Sequence, residues 1–150
     1  MEFFTITNAD AAEYPLITEI WEASVRSTHH FLTEEDIRYF KPMVGEHLAQ
    51  VDLYVIRESG NIRGFLGLSG DKIEMLFIDP VAFGKGLGKK LLTYAIYEKG
   101  FRKVDVNEQN PSAVGFYEHM GFAVTSRSPL DPQGKPFPIL HMEWKEDIAG

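Results

Sequence analysis

Between Pro80 and Lys90 the chain reads Pro-Val-Ala-Phe-Gly-Lys-Gly-Leu-Gly-Lys-Lys, with three glycines at alternate positions. An apolar run from Lys72 to Asp79 precedes it and reads as a strand. A helical pattern follows, with Leu87, Leu91, Leu92, Ala95 and Ile96 on one stripe. Glycines at a strand-to-helix junction let the backbone approach a phosphate closely, while unpaired helix N–H groups point at it. Lys85, Lys89 and Lys90 gather positive charge here, in a chain whose formal net charge is −7. The stretch therefore points to a ligand that carries phosphate. Spacing excludes two common ones. A Walker loop needs Gly where Phe83 stands and Ser or Thr where Lys90 stands. The dinucleotide fingerprint needs a third small residue where Lys89 stands or, in the other register, Leu91.

The remaining pattern supplies the order of elements. Glu2 to Ile6 reads as a first strand, and Asn8 and Asp10 offer helix caps. Leu16, Ile17, Ile20, Trp21, Ser24 and Val25 recur at helical spacing, with Pro15 in the first turn. After the polar break Ser27-Thr28-His29-His30, a second helix is expected from Thr33 to Leu48, with Thr33 as N-cap and Asp36 at the capping-box position. Val51 to Arg57 and Ile62 to Ser69 read as strands joined by a turn at Glu58-Ser59-Gly60-Asn61. A helix over Gly84 to Lys99 stops at Gly100, and Lys103 to Asn107 is a strand. Asn110-Pro111 opens a short helix that Gly121 closes. Phe122 to Arg127 and Phe137 to Trp144 form a last hairpin around Pro129 to Pro136. The order β-α-α-β-β-β-α-β-α-β-β mixes antiparallel hairpins with a crossover helix. An α/β (α+β) fold with a mixed central sheet flanked by helices is expected.

Composition narrows the classes of function. At 150 residues the chain is expected to be one domain, 1–150. With 44% hydrophobic and 13% aromatic residues it can build a core without disulfides. The balance of 15 Lys and Arg against 22 Asp and Glu lacks the footprint of a nucleic-acid or membrane binder. The absence of cysteine excludes disulfide scaffolds, thiolate metal sites and any mechanism with an enzyme thiol. None of the five histidines has metal-ligand spacing, so no catalytic metal is expected. Met1 to Thr5 carries no signal-peptide pattern and no run of 18 apolar residues occurs, so a soluble cytoplasmic protein is expected.

Two segments carry a family resemblance. Leu76-Phe77-Ile78-Asp79-Pro80, followed three residues later by Gly-Lys-Gly-Leu-Gly-Lys, resembles the acyl-CoA pyrophosphate loop of the GNAT superfamily of N-acetyltransferases. That loop has the pattern Gln/Arg-x-x-Gly-x-Gly/Ala, with Phe83 here in place of Gln or Arg. Asn110-Pro111-Ser112-Ala113-Val114-Gly115-Phe116-Tyr117-Glu118-His119-Met120-Gly121-Phe122 is similar to the Asn-x-x-Ala-x-x-Phe-Tyr-x-x-x-Gly-Phe segment of the same superfamily. Thr28-His29-His30-Phe31-Leu32, Asn107-Glu108-Gln109-Asn110 and Gly134-Lys135-Pro136 also resemble its bacterial YjaB-like branch.

The resemblance implies acetyl-CoA as cosubstrate, its pyrophosphate on Phe83, Gly84, Lys85, Gly86, Leu87, Gly88 and Lys89. It implies that backbone groups of Leu76, Phe77 and Ile78 pair with the pantetheine, one N–H facing the thioester oxygen. Asn110 and Tyr117 are seven residues apart and share a helix face, with the small Ala113 between them. Asn110 and Ala113 then border the pantetheine, and Tyr117 reaches the sulfur as general acid. A phenol with pKa near 10 can donate to a thiolate whose parent thiol lies near 8.5.

Glu74, alone among Ile73, Met75, Leu76, Phe77 and Ile78, is the first candidate base, placed by alternation on the face of Leu76 and Ile78. His29, Phe31 and Asn107 are expected on the acceptor side. His29 or a water chain is the alternative base, His30 falls in the same break between the first two helices, and Asn107 and His141 are weaker candidates. Without cysteine, direct transfer in a ternary complex is the expected mechanism. The acceptor is expected to be a primary amine, on a small molecule, a protein lysine or an N-terminus, and the protein a monomer or homodimer. The alternatives are a non-catalytic acyl-CoA-binding or regulatory module on the same fold, or a nucleotide-phosphate binder.

Overall fold

The computed structural model describes residues 3–145. Strand β1 (Phe4–Asn8) leads through a short 3-10 turn into α1 (Tyr14–Thr28), with Pro15 in its first turn. Proline fits there because the first helical N–H groups have no partner to lose. Helix α2 (Glu34–Leu48) begins at its Thr33 cap. Asp36 N donates to Thr33 Oγ1 at 3.1 Å and Thr33 N donates to Asp36 Oδ2 at 3.0 Å, the reciprocal pair expected from the spacing. Strands β2 (Asp52–Glu58) and β3 (Asn61–Ser69) meet at Ser59 and Gly60, whose φ angles of 50° and 89° match the twist of the flanking strands. Then come β4 (Lys72–Ile78), α3 (Leu87–Thr93), β5 (Lys103–Asn107), α4 (Pro111–His119), β6 (Phe122–Ser128) and β7 (Ile139–Trp144). The element order is the expected one.

The described strands form one sheet in the order β1-β2-β3-β4-β5-β7-β6, antiparallel everywhere except between β4 and β5. Leu53, Val55 and Phe65 pack with Ile17, Trp21 and Leu48 from α1 and α2. Ile56, Leu66 and Leu68 pack on the other face with Leu87, Leu91 and Leu92. Cover on both faces is why β2 and β3 read as almost continuous apolar runs. No described helix is long and apolar enough to cross a membrane.

The parallel pair is short. Lys72 pairs with Lys103 and Ile73 with Val104; beyond that point β4 and β5 diverge. The neighbouring pairing gives the reason. Ile73 lies opposite Leu68 and Met75 opposite Gly67, so Glu74 is the extra residue of a β-bulge, which bends the strand. The bulge breaks the alternation between Ile73 and Met75, while the register from Met75 to Ile78 is continuous. Ile73 and Leu76 join the core beside α3, whereas Met75 joins the core beside α1 and α2; Glu74, between them, is exposed.

Other boundaries shift for local reasons. The helix expected from Gly84 begins at Leu87, because Gly84 (φ 84°) and Gly86 (φ 74°) hold left-handed conformations that interrupt a right-handed helix. It continues past Thr93 as a π-helical turn, Tyr94–Glu98. The last strand begins at Ile139 rather than Phe137, since Pro136 and Pro138 have no N–H for a ladder. Strand β1 runs over Phe4–Asn8, and Glu2 of the expected first strand lies outside the described residues.

Candidate active site

A cavity of about 450 Å³ occupies the opening between β4 and β5. The glycine loop forms one wall. Asp79 starts it as a cap, its Oδ1 accepting from Val81 N at 3.2 Å, and Pro80–Ala82 makes one 3-10 turn. The chain then passes through Phe83, Gly84 and Gly86 into α3, and these residues line the cavity together with Leu87, Gly88 and Lys89. A Cβ built on Gly84 or Gly86 would meet no heavy atom within 4 Å. Their glycine character therefore answers to the backbone angle and to open space in front of the loop.

Helix α4 forms the opposite wall. Asn110 caps it, Oδ1 accepting from Ala113 N at 3.2 Å, and Pro111 takes the first helical position. Asn110, Ala113 and Tyr117 line the cavity together, as their spacing on one helix face requires. Tyr117 is 7% exposed, with Phe116 and Phe122 edge-on to its ring at centroid distances of 5.2 and 5.5 Å. Burial pushes its phenol above the ordinary value, because the charged form would lose its hydration. Glu74, Leu76, Phe77 and Ile78 contribute the edge along β4, and Asn107 the end of β5.

The end of α1 closes the space from the far side of the sheet. Ser24, Thr28 and His29 line the cavity. Thr28 Oγ1 donates to Ser24 O at 2.8 Å and lies 2.7 Å from His29 Nδ1. Burial, with a smaller contribution from the nearby His30, pulls the His29 pKa down to about 4. Ser24 and Thr28 were not among the candidates. The signal for them is a pair of small hydroxyl residues one turn apart, Ser24 standing on an otherwise apolar stripe.

Some candidates lie elsewhere. Phe31 borders a second cavity of about 260 Å³, which shares His29, Met75, Phe77 and Asn107 with the first. Lys85 turns toward β2, its Nζ 2.6 Å from Glu58 Oε2. Lys90 sits over the Phe4 ring, 5.6 Å from its centre. That leaves Lys89 as the loop cation at the cavity wall. His141 borders neither cavity: Nδ1 lies 2.7 Å from Asp105 Oδ1, and Nε2 2.7 Å from Ser128 Oγ.

Residues 27–145 match the family model described as an acetyltransferase (GNAT) domain. The chain is 40% identical to the peptidyl-lysine N-acetyltransferase YjaB of Salmonella typhimurium, over 82% of this chain and 86% of that protein. Its fold superposes on the solution structure of apo YjaB from Escherichia coli with a TM-score of 0.87 and 37% identity, covering 95% of this chain and 97% of that one. At 20% identity and a TM-score of 0.74, it shares its fold with the PaiA N-acetyltransferase of Thermoplasma acidophilum, solved in complex with coenzyme A; 96% and 99% of the two chains are covered. A glycine loop, a β4–β5 opening and an Asn-Ala-Tyr helix face meeting at one cavity agree with these likenesses, and the chain belongs to the GNAT acetyltransferases, enzymes that take their acetyl group from acetyl-CoA.

Proposed function

We propose that this enzyme transfers the acetyl group of acetyl-CoA to the side-chain amine of a protein lysine, by direct attack within a ternary complex. The observation that carries the reading is the convergence of Gly86, Asn110 and Tyr117 on the cavity between β4 and β5. The acceptor follows from the relatives, which are named peptidyl-lysine N-acetyltransferases.

The pyrophosphate rests on backbone N–H groups from Phe83 to Gly88, with Lys89 beside it. Lys85 joins only by leaving Glu58. The pantetheine runs through the opening, where Leu76, Phe77 and Ile78 no longer pair with β5 and so have backbone groups to offer. Asn110 and Ala113 border it from α4. Glu74 takes a proton from the acceptor amine, whose nitrogen bonds the thioester carbon as the carbon–sulfur bond breaks. A β4 N–H stabilises the charge that develops on the thioester oxygen. Tyr117 donates to the departing sulfur. Burial raises the phenol above its ordinary value, so Tyr117 holds its proton until a thiolate forms beside it.

The test follows free-thiol release with acetyl-CoA and lysine-containing peptides, and locates the acetyl group by mass spectrometry. Acetylated lysine with one CoA released per acetyl supports the reading. If no amine raises release above thioester hydrolysis while acetyl-CoA still raises the melting temperature, the chain is an acyl-CoA-binding module instead.

A further inference from the structure

The second cavity lies on the face of the sheet covered by α1 and α2. Its walls are mainly apolar, with Trp21, Phe31, Phe40, Phe77 and Phe137 among them. Phe137, from the loop before β7, bridges the others, its centroid 5.7 Å from Phe31 and 6.3 Å from Phe40. The carboxylate in the wall, Asp131, folds its own loop: Oδ1 accepts from Gln133 N at 3.0 Å and from Lys135 N at 2.8 Å. Such a lining suits an apolar group far better than a second cation.

His29, Met75, Phe77 and Asn107 border both cavities, so the second lies directly beside the first. His29 marks the junction, and its tautomer follows from its neighbour. The Thr28 hydroxyl has one hydrogen, which goes to Ser24 O at 2.8 Å. Toward His29 Nδ1, at 2.7 Å, the hydroxyl must therefore accept, so Nδ1 carries the ring proton. Nε2 is left as a bare lone pair, with no donor to it among the described residues. Burial keeps the ring neutral, so it accepts from an amine without repelling it.

A lysine stem alone is too slight for a space of about 260 Å³, and an apolar cavity left part-empty forfeits contact energy. We propose that the second cavity seats a bulky apolar side chain next to the target lysine, while His29 Nε2 accepts a hydrogen bond from the lysine amine. The substrate class is thus a peptide segment that pairs a lysine with an aromatic or large aliphatic neighbour. This rests on the lysine-acetyltransferase reading above.

Two peptides identical except for Phe or Gly beside the lysine test it, by steady-state kinetics with acetyl-CoA. The Phe peptide should have a kcat/KM at least about tenfold higher, the scale on which apolar pockets discriminate. Phe137→Ala, which removes a wall of the second cavity alone, should erase most of that preference while acetyl-CoA still raises the melting temperature. His29→Ala should raise the acceptor KM by more than about fivefold with a smaller change in kcat, and His29→Gln should restore part of it. Equal kcat/KM for the two peptides in the wild type, or an undiminished preference in folded Phe137→Ala, overturns the inference and leaves the transferase reading standing. Acetylation of neither peptide overturns both.

Discussion

Lys85 Nζ lies 2.6 Å from Glu58 Oε2, tying the glycine loop to the end of β2. Glu58 is 8% exposed and also accepts from Arg63 Nε at 3.1 Å. A carboxylate that is mostly out of water depends on its cations. Lys85→Ala should therefore cost about 1–3 kcal/mol of stability, measured by urea denaturation. An unchanged midpoint would show that the pair is worth no more than an exposed one.

The loop should bind CoA through its backbone more than through any one charge. Gly86 has φ 74°, which a β-branched residue adopts only under strain. Gly86→Val should weaken CoA binding by more than about tenfold, whereas Lys90→Ala, whose ammonium sits over Phe4, should change it by about twofold or less. Gly88→Ala separates approach from strain, because its Cβ would meet Phe116 at an ordinary 3.5 Å. The fold should tolerate it, and any loss of affinity then reports on contact with the ligand. Calorimetry with CoA checks all three; equal losses for Gly86→Val and Lys90→Ala would contradict the argument.

Tyr117→Phe keeps the ring between Phe116 and Phe122 and removes only the hydroxyl. If that hydroxyl is the acid, kcat should fall by roughly 10²–10⁴ while the KM for acetyl-CoA moves only a few-fold. A variant that retains a third of the wild-type kcat would assign Tyr117 to packing alone.

His29 carries a pH signature. Its pKa falls from 6.5 to about 4 on folding, burial being the main cause. The unfolded chain binds a proton near pH 6.5 that the folded chain refuses until about pH 4. The stability contributed is complete above pH 6.5, declines as the pH drops through that window, and is gone below about pH 4. A shift of this size is worth about 3 kcal/mol at full extent. His29→Gln removes the titration, so it should lose less stability than the wild type between about pH 7 and pH 4.5. Equal losses in urea denaturation at the two pH values would show that His29 protonates without resistance in the folded protein.

Much of this was legible from local chemistry. Thr33 with Asp36, Asn110 with Pro111, and Ser59-Gly60 each solve a problem confined to a few residues, so each reads directly from the chain. The seven-residue spacing from Asn110 to Tyr117 put both on one helix face for the same reason, and both border the cavity. Glu74 was harder. Alternation assumes an unbroken ladder, and the bulge opposite Gly67 and Leu68 is a property of two strands together.

By itself, then, the order of residues determined the elements, the family and the two cofactor-side motifs, because these depend on short-range sterics and spacing. The long-range partners of charged and polar side chains were decided only by the tertiary structure. Lys85 meets Glu58 across 27 residues, and His141 meets Asp105 across 36. The second cavity likewise exists only where α1, α2, β4 and the loop before β7 come together. Interactions of that range depend on how the sheet aligns distant segments, and no local pattern in the chain encodes it.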